Sequence, residues 1–349
     1  MIERGDAPGG NHTWCFHARD VTAHAQRWID PIVAVRWPGY DVMFPDYERR
    51  LDTPYACVQS ANLAQRVTSV LSQSGSQLYA QSIATDVRAD GVTVRSADGR
   101  EHELRATAVI DARGPSRAAA DNCGWQKFVG QEVVVDAPHG LDRPILMDAR
   151  VEQIDGFRFF YVLPLAPDRL LVEDTYFSDR TELDVAALCS EIAGYCSRRG
   201  WNIVAVVREE TGLLPMPLTP TSPSASAPLV AGYAGGWFHP VTAYSFPIAA
   251  RLAAFVAGRP AEALFGDELA NLARLHGRQL AFGGKLNRML FRWYPPAKRY
   301  HVLARFYQRS PALIERFYAL ELSAMDRARM FIGRPPKGLS LRAALGGAA

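Results

Sequence analysis

Ala108-Val109-Ile110-Asp111-Ala112-Arg113-Gly114-Pro115 is the stretch on which the fold turns: an apolar run that reaches an acidic residue and then a glycine. Such a run reads as a buried strand whose backbone turns sharply at its end. Working back from it, Ser60 reads as the cap of a helix over 60–71, with Leu63, Val67, Val70 and Leu71 on one face. Strand-like segments follow at 77–87, 92–95 and 103–111, joined by turn signals at Asp90-Gly91 and Asp98-Gly99. A helix, a hairpin and a buried strand ending in glycine is the order in which a dinucleotide-cofactor domain brings its backbone up to the ligand. Any buried strand must also end in some turn, so the order by itself leaves both readings open.

The chain has 349 residues, 48% of them apolar and 21% charged, with a formal net charge of +3. That is enough for two domains around cores of their own, and it excludes a disordered, collagen-like or disulfide-stapled chain. Cys15, Cys57, Cys123, Cys189 and Cys196 form an odd set without a Cys-x-x-Cys pair, as expected of buried thiols in a reducing compartment. No basic and apolar leader opens the sequence, and no 18 uninterrupted apolar residues occur in it. The expectation is therefore a cytoplasmic protein.

Ile2 and Glu3 run at once into the turn-rich Arg4-Gly5-Asp6-Ala7-Pro8-Gly9-Gly10. In dinucleotide-binding units an acidic residue ending the second strand accepts ribose hydroxyls, roughly 20 residues after the glycine loop. Glu3 fits that place, which would put the first strand, glycine loop and first helix outside this chain; Glu3 as an ordinary terminal residue carries equal weight. Residues 126–175 read as an antiparallel run of strands able to floor a pocket. A helix over 183–197, a strand over 204–209 and a Pro/Ser-rich loop over 215–228 follow. Residues 228–240 then read as a strand arriving at a glycine turn, where Gly232, Gly235 and Gly236 allow close approach of a planar or phosphorylated ligand. The helix after it, 244–256, can point its N-terminus at an anion.

From Arg274 to Lys337 there are fourteen Lys/Arg against three Asp/Glu, interleaved with aromatics such as Phe291, Trp293, Tyr300 and Phe306. Two readings stand together: a helix starting at Ser310-Pro311 and docked through Leu313, Ile314, Phe317 and Leu320, and a basic aromatic face meeting an anionic membrane. Nucleic acid is not expected, since no stacking platform or recognition helix is evident.

Several segments together resemble the bacterial lycopene beta-cyclases. They are Gly-Gly-Asn-His-Thr-Trp (9–14), Phe44-Pro45 with Arg50-Leu51, Val-Ile-Asp-Ala-Arg-Gly (109–114), Gly-Trp-Gln-Lys-Phe-Val-Gly (124–130), Pro-Ile-Leu-Met-Asp-Ala (144–149), Leu-Leu-Val-Glu-Asp-Thr (170–175) and Trp-Phe-His-Pro-Val-Thr-Ala-Tyr-Ser (237–245). They occur in family order across nearly the whole chain. The resemblance implies an α/β fold: an FAD/NAD(P)-binding flavoprotein-type (Rossmann-like) cofactor domain, an antiparallel β-sheet substrate domain and a helical C-terminal region. Its expected division is 1–20, 60–125 and 225–260 for the cofactor unit, 21–59 and 126–224 for the substrate unit, 261–337 for the helical region and 338–349 for a tail. The implied activity closes the linear ends of lycopene to β-ionone rings, giving γ-carotene and then β-carotene. It uses reduced FAD with NAD(P)H as reductant, without net oxidation, at the inner face of the cell membrane.

Two departures accompany the resemblance. The family's first strand and glycine-rich loop are not in this sequence, so an N-terminally truncated cofactor unit is expected. Thr242-Ala243-Tyr244-Ser245 also stands where the family has Thr-Gly-Tyr-Ser, and an alanine there restricts the backbone.

Ring closure of this kind is an isomerisation, and it needs a carboxylic acid kept protonated, a base, and electron density facing the cation. Glu173 and Asp174 end an apolar run, and strand alternation puts them on opposite faces, so one alone can enter an apolar groove. The resemblance assigns the acid/base role to Glu173. Candidate cofactor contacts are Glu3, Gly9, Gly10, Asp111, Arg113, Gly114, Gly235, Gly236, His239, Pro240 and Thr242. Candidate pocket residues are Phe157, Phe159, Tyr161, Tyr176 and Trp237, each of which can equally be core. His239 can touch flavin or substrate, or simply bond to backbone. His12 and His17 flank Trp14 without a third ligand, so no metal is expected. The alternatives are a flavin-dependent monooxygenase or reductase on the same fold, and a non-catalytic carotenoid-binding remnant.

Overall fold

The computed structural model describes residues 1–114 and 122–340. Pro115, part of the expected cofactor unit (115–121) and most of the expected tail (341–349) lie outside the described residues. The strands are β1 (Thr13–His17), β2 (Val33–Trp37), β3 (Tyr40–Phe44), β4 (Tyr47–Leu51), β5 (Tyr55–Gln59), β6 (Ile83–Arg88), β7 (Gly91–Arg95), β8 (Glu101–Arg105), β9 (Ile110–Asp111), β10 (Cys123–Val135), β11 (Ile145–Asp148), β12 (Phe157–Ala166), β13 (Arg169–Ser178), β14 (Ile203–Pro217) and β15 (Leu229–Val230). The helices are α1 (Ala23–Ile29), α2 (Ser60–Gln73), α3 (Val185–Arg198), α4 (Phe246–Ala257), α5 (Asp267–Arg288), α6 (Tyr300–Tyr307), α7 (Pro311–Tyr318) and α8 (Ala324–Phe331).

The centre of the molecule is a sheet of order β14-β10-β13-β12-β11-β3-β4, antiparallel except where β11 meets β3. Residues alternate across it. Phe157, Phe159 and Tyr161 on β12 pair with Phe177, Thr175 and Glu173 on β13, and this face carries the core shared with α5 and α7. Phe160, Val162, Val172 and Val129 point the other way and are covered by α3, where Phe160 stacks on Tyr195 at 4.1 Å. A smaller sheet, β1-β5-β2, packs on α1 and α4. Strands β6-β7-β8 form an antiparallel three-stranded sheet, and β9 pairs in parallel with β15.

The quoted strand is short: β9 spans two residues, and Asp111 lies beside Val230 of β15. The third segment of the expected hairpin, 103–111, breaks into β8 and β9, because Ala106-Thr107 interrupt the alternation. β14 runs to Pro217, so the expected loop over 215–228 begins later. Its prolines Pro215 and Pro217 lie on the outermost strand of the sheet, where a missing N–H is tolerated. Helix α7 docks as one of the two readings held: Leu313, Ile314 and Phe317 are buried, and Pro311 is its first residue.

Candidate active site

A cavity of about 300 Å³ opens between the central sheet, β1 and the turn that leads into α4. Its wall includes Glu173, Glu210, Phe159, Tyr161, Tyr55 and His17. Strand register places the carboxylates: Gly130 of β10 lies opposite Glu173 of β13 on one side and Glu210 of β14 on the other. With strands about 4.8 Å apart, the two glutamates start roughly 10 Å apart at their Cα atoms. They meet only by leaning over a residue without a side chain. A Cβ on Gly130 would lie 2.7 Å from Cγ of Glu173 and 3.2 Å from Cγ of Glu210.

Glu173 is 9% exposed and Glu210 5%. Burial pushes the Glu173 carboxyl well above the ordinary glutamate range, and the charge and hydrogen bond of Glu210 push it further. Arg208 distinguishes the pair. Its guanidinium donates to Glu210 Oε2 at 2.6 Å and to Glu132 at 2.9 Å, and it also reaches Thr13 and Asn11. Glu210 is thereby paired with a cation, whereas Glu173 is the carboxyl whose proton is held more tightly. The expected outcome for Gly130→Ala is a loss of about 1–3 kcal/mol in stability from overpacking, together with reduced activity as the carboxyls are forced apart. Chemical denaturation and turnover check it.

Asp174 faces the opposite way. It is fully buried under α3, bonded to Arg158 at 2.8 and 2.9 Å and to the Tyr176 hydroxyl at 3.0 Å. Tyr176, expected in the pocket, therefore lies on the α3 side, because alternation ties it to Asp174 rather than to Glu173. Trp237 is also elsewhere: its indole N–H bonds Ser224 O, and its ring stacks on His276 at 5.2 Å. Phe157 shares the cavity face with Phe159 but packs deeper, against Phe44 and Phe177, and is absent from the wall. Phe159 and Tyr161 line the wall.

Of the expected cofactor contacts, Thr242 lines the cavity, with a buried Oγ1 that has no partner among the described residues. It precedes Ala243, whose φ of 53° is the left-handed conformation a glycine would take without strain. The first turn of α4, just beyond, has no side-chain cap at Ser245. His239 is fully buried and bonded to backbone: its Nε2 donates to Phe317 O at 2.9 Å, and its Nδ1 accepts from Val241 and Thr242. Burial drives its pKa down to about 4, so it is neutral. Pro240 packs beside Gly283, and Gly235 lies tightly over the Val230 carbonyl. Asp111 and Arg113 form an ion pair at 2.7 Å, next to Gly114 at φ 88°. Glu3 accepts from Gly5 N at 2.8 Å, while Gly9 and Gly10 take positive φ near Trp14 and His12.

Sequence reading missed Gly130, Glu210 and the partnership of His17 with Asp20. The signal for the last was there, since a histidine and an aspartate three apart can close on each other across a turn. Further buried atoms on this wall without a partner among the described residues are Gln126 Oε1, Thr175 Oγ1 and His17 Nε2. Orphan polar atoms converging on one cavity fit a polar ring system or a reacting group. No cluster of metal ligands occurs among the described residues.

This fold is that of the flavoprotein oxidoreductases and halogenases. It superposes on a geranylgeranyl bacteriochlorophyll reductase-like protein from Thermoplasma acidophilum with a TM-score of 0.64 at 12% identity, over 97% of this chain and 90% of that one. A flavin-dependent brominase matches at 0.65 and 13% identity, over 94% and 90%. Within that class, the family described as lycopene cyclase protein matches residues 1–344. Lycopene beta-cyclases of Pseudescherichia vulneris and Pantoea ananas are 41% and 39% identical, covering 99% and 96% of this chain and 90% and 87% of those proteins. The chain belongs to the lycopene cyclase family.

Proposed function

We propose that this chain is a lycopene beta-cyclase, which closes the linear ends of lycopene to β-ionone rings by acid/base catalysis. The observation that supports the reading is the buried pair of Glu173 and Glu210 over Gly130 on the cavity wall, with Arg208 bonded to Glu210 and burial raising the Glu173 pKa. Glu173 gives its proton to the terminal double bond, and the neighbouring double bond attacks the cation. The Glu173 carboxylate left behind and Glu210, paired with Arg208, face the positive charge, and the rings of Phe159, Tyr161 and Tyr55 add π-electron density.

The wall at Thr242 and the first turn of α4 fits the polar edge of a flavin: an orphan hydroxyl and uncapped N–H groups lie together there. Glu3, Gly9, Gly10, Asp111, Arg113, Gly114, Gly235 and Gly236 are the residues assigned to the rest of FAD, with His239 and Pro240 shaping the turn. Bound there and kept reduced by NAD(P)H, FAD supplies an electron-rich surface for the cation.

Expression in lycopene-accumulating cells tests the proposal. β-Ringed pigment is expected, and unchanged lycopene overturns it. Oxidation of NAD(P)H in step with product would instead favour the monooxygenase reading.

A hydrocarbon substrate lives in the bilayer, so the same proposal places the protein on the inner face of the membrane. No helix among the described residues is long and apolar enough to cross it. Met325, Phe331 and Ile332 are 60%, 55% and 63% exposed beside Arg329 and Arg334, a face suited to anionic headgroups and acyl chains. Replacing Phe331 and Ile332 together by Ser is expected to weaken sedimentation with anionic phospholipid vesicles by on the order of 10–100-fold. Unchanged binding would remove this face from the proposal.

A further inference from the structure

The cyclase reading names an acid but leaves open what removes the proton once the ring has closed. Glu173 and Glu210 are the obvious receivers, yet the cavity holds a second basic group. His17 is 2% exposed and lines the wall. Its Nδ1 lies 3.0 Å from Asp20 Oδ2. A carboxylate only accepts, so Nδ1 carries a ring proton, and in the neutral imidazole Nε2 keeps a lone pair. Asp20 is fixed in turn by the Tyr244 hydroxyl at 3.0 Å and by the His17 backbone N–H at 3.0 Å. Nε2 is buried without a partner among the described residues, an arrangement that costs about 1–3 kcal/mol unless something uses it.

The strand sets the spacing. Cys15 also lines the cavity, as Glu173 does. His17 is two residues further along the same face of β1, which is about 7 Å. Glu173 and His17 both line this one cavity, so acid and base face the same space. Around the imidazole, the rings of Tyr318, Tyr55 and Tyr40 have their centroids at 4.8, 4.9 and 5.3 Å. Aromatic rings and a carboxylate are the surroundings an imidazolium needs when it forms away from water.

We infer that His17, oriented by Asp20, is the catalytic base of ring closure and takes the proton from the cyclised cation on Nε2. The inference rests on the cyclase reading. In the step, the Glu173 proton forms the new C–H bond and the C–C bond closes. The departing proton goes to Nε2, and its C–H electron pair becomes the ring double bond. His17 ends as imidazolium and Glu173 as carboxylate. Return of one proton from His17 to Glu173 resets the site, with no atom or electron gained or lost.

Where the ring double bond falls depends on which carbon beside the cation loses its proton, so a missing base changes the product as well as the rate. The test compares wild type, His17→Asn and His17→Gln in lycopene-accumulating cells and with purified protein, with thermal unfolding recorded in parallel. Asn keeps a donor near the Nδ1 position, Gln places an amide near Nε2, and neither is a base. The expected result is folded protein, β-ring formation lowered by about 100-fold or more, and residual product enriched in rings with a displaced double bond. Wild-type rates overturn the inference. So does a slower reaction that still gives β-rings alone, since that is the mark of disturbed binding. If both variants unfold, Asp20→Asn carries the test: its amide donates to Nδ1, forces the proton onto Nε2, and should give the same shift of product, an unchanged ring type counting against the base. Failure of the wild-type protein to cyclise lycopene is a separate result, and it sinks the cyclase reading itself.

Discussion

Glu173→Gln is expected to form β-rings about 10²–10⁴-fold more slowly than wild type, the range associated with loss of a positioned general acid. Gln keeps the length and can still bond Glu210, so the cavity should keep its shape; what is lost is the transferable proton. Pigment analysis by chromatography checks the rate, and retained activity removes Glu173 from the mechanism. The same variant has a stability signature whose sign is fixed. In the unfolded chain this carboxyl ionises near its ordinary value of 4.5, whereas in the fold it is held well above that, first by burial and then by Glu210. Above pH 4.5 the folded state thus retains a proton that the unfolded state releases, and wild-type stability falls as pH rises toward the folded value. Gln has no such slope. The variant should melt higher than wild type at pH 8, with the gap closing toward pH 4.

Asp174→Ala, one residue away, is expected to cost about 3–5 kcal/mol of stability, because it strands the Arg158 guanidinium in a buried site. Asp174 is fully buried and Arg158 3% exposed. Arg158 keeps Glu191 at 2.8 Å, but that carboxylate sits at the surface. The Tyr176 hydroxyl loses its acceptor as well. Unfolding in urea measures the loss, and a change below about 1 kcal/mol would show that Glu191 or water compensates. Protein that stays folded should still cyclise, since nothing on the α3 face touches the cavity wall. Two neighbouring carboxylates are thereby predicted to fail in different ways, one through chemistry and one through folding.

Much of this was legible in the sequence, for identifiable reasons. Strand alternation is strict, so Glu173 and Asp174 had to part company, and the segment carrying them was apolar enough to mark a core strand. The same rule, applied two residues on, would have placed Tyr176 with Asp174 instead of in the pocket. Glu210 was hidden for a different reason. Its role depends on β10 lying between β13 and β14 and on the register that sets Gly130 opposite both acids. Pairing across 43 residues on one side and 80 on the other is tertiary information, to which local pattern is blind. His239 fell the other way. Its glycine-rich neighbourhood left ligand contact and backbone bonding open, and the fold spends both ring nitrogens on backbone. Ala243 was legible as a departure; that it holds a left-handed conformation was not, because a substitution alone does not tell whether the backbone moved or the residue complied.

The glycine between the two glutamates bears on how this site can change over time. The acid pair takes its spacing from the hydrogen-bonded repeat of a sheet, and loops around it have no say in that distance. Insertions and deletions in the connections leave the spacing untouched, whereas a one-residue slip in any of the three strands abolishes it outright. Changes in the loops can therefore reshape the surroundings of the cavity while the paired carboxyls stay a fixed unit.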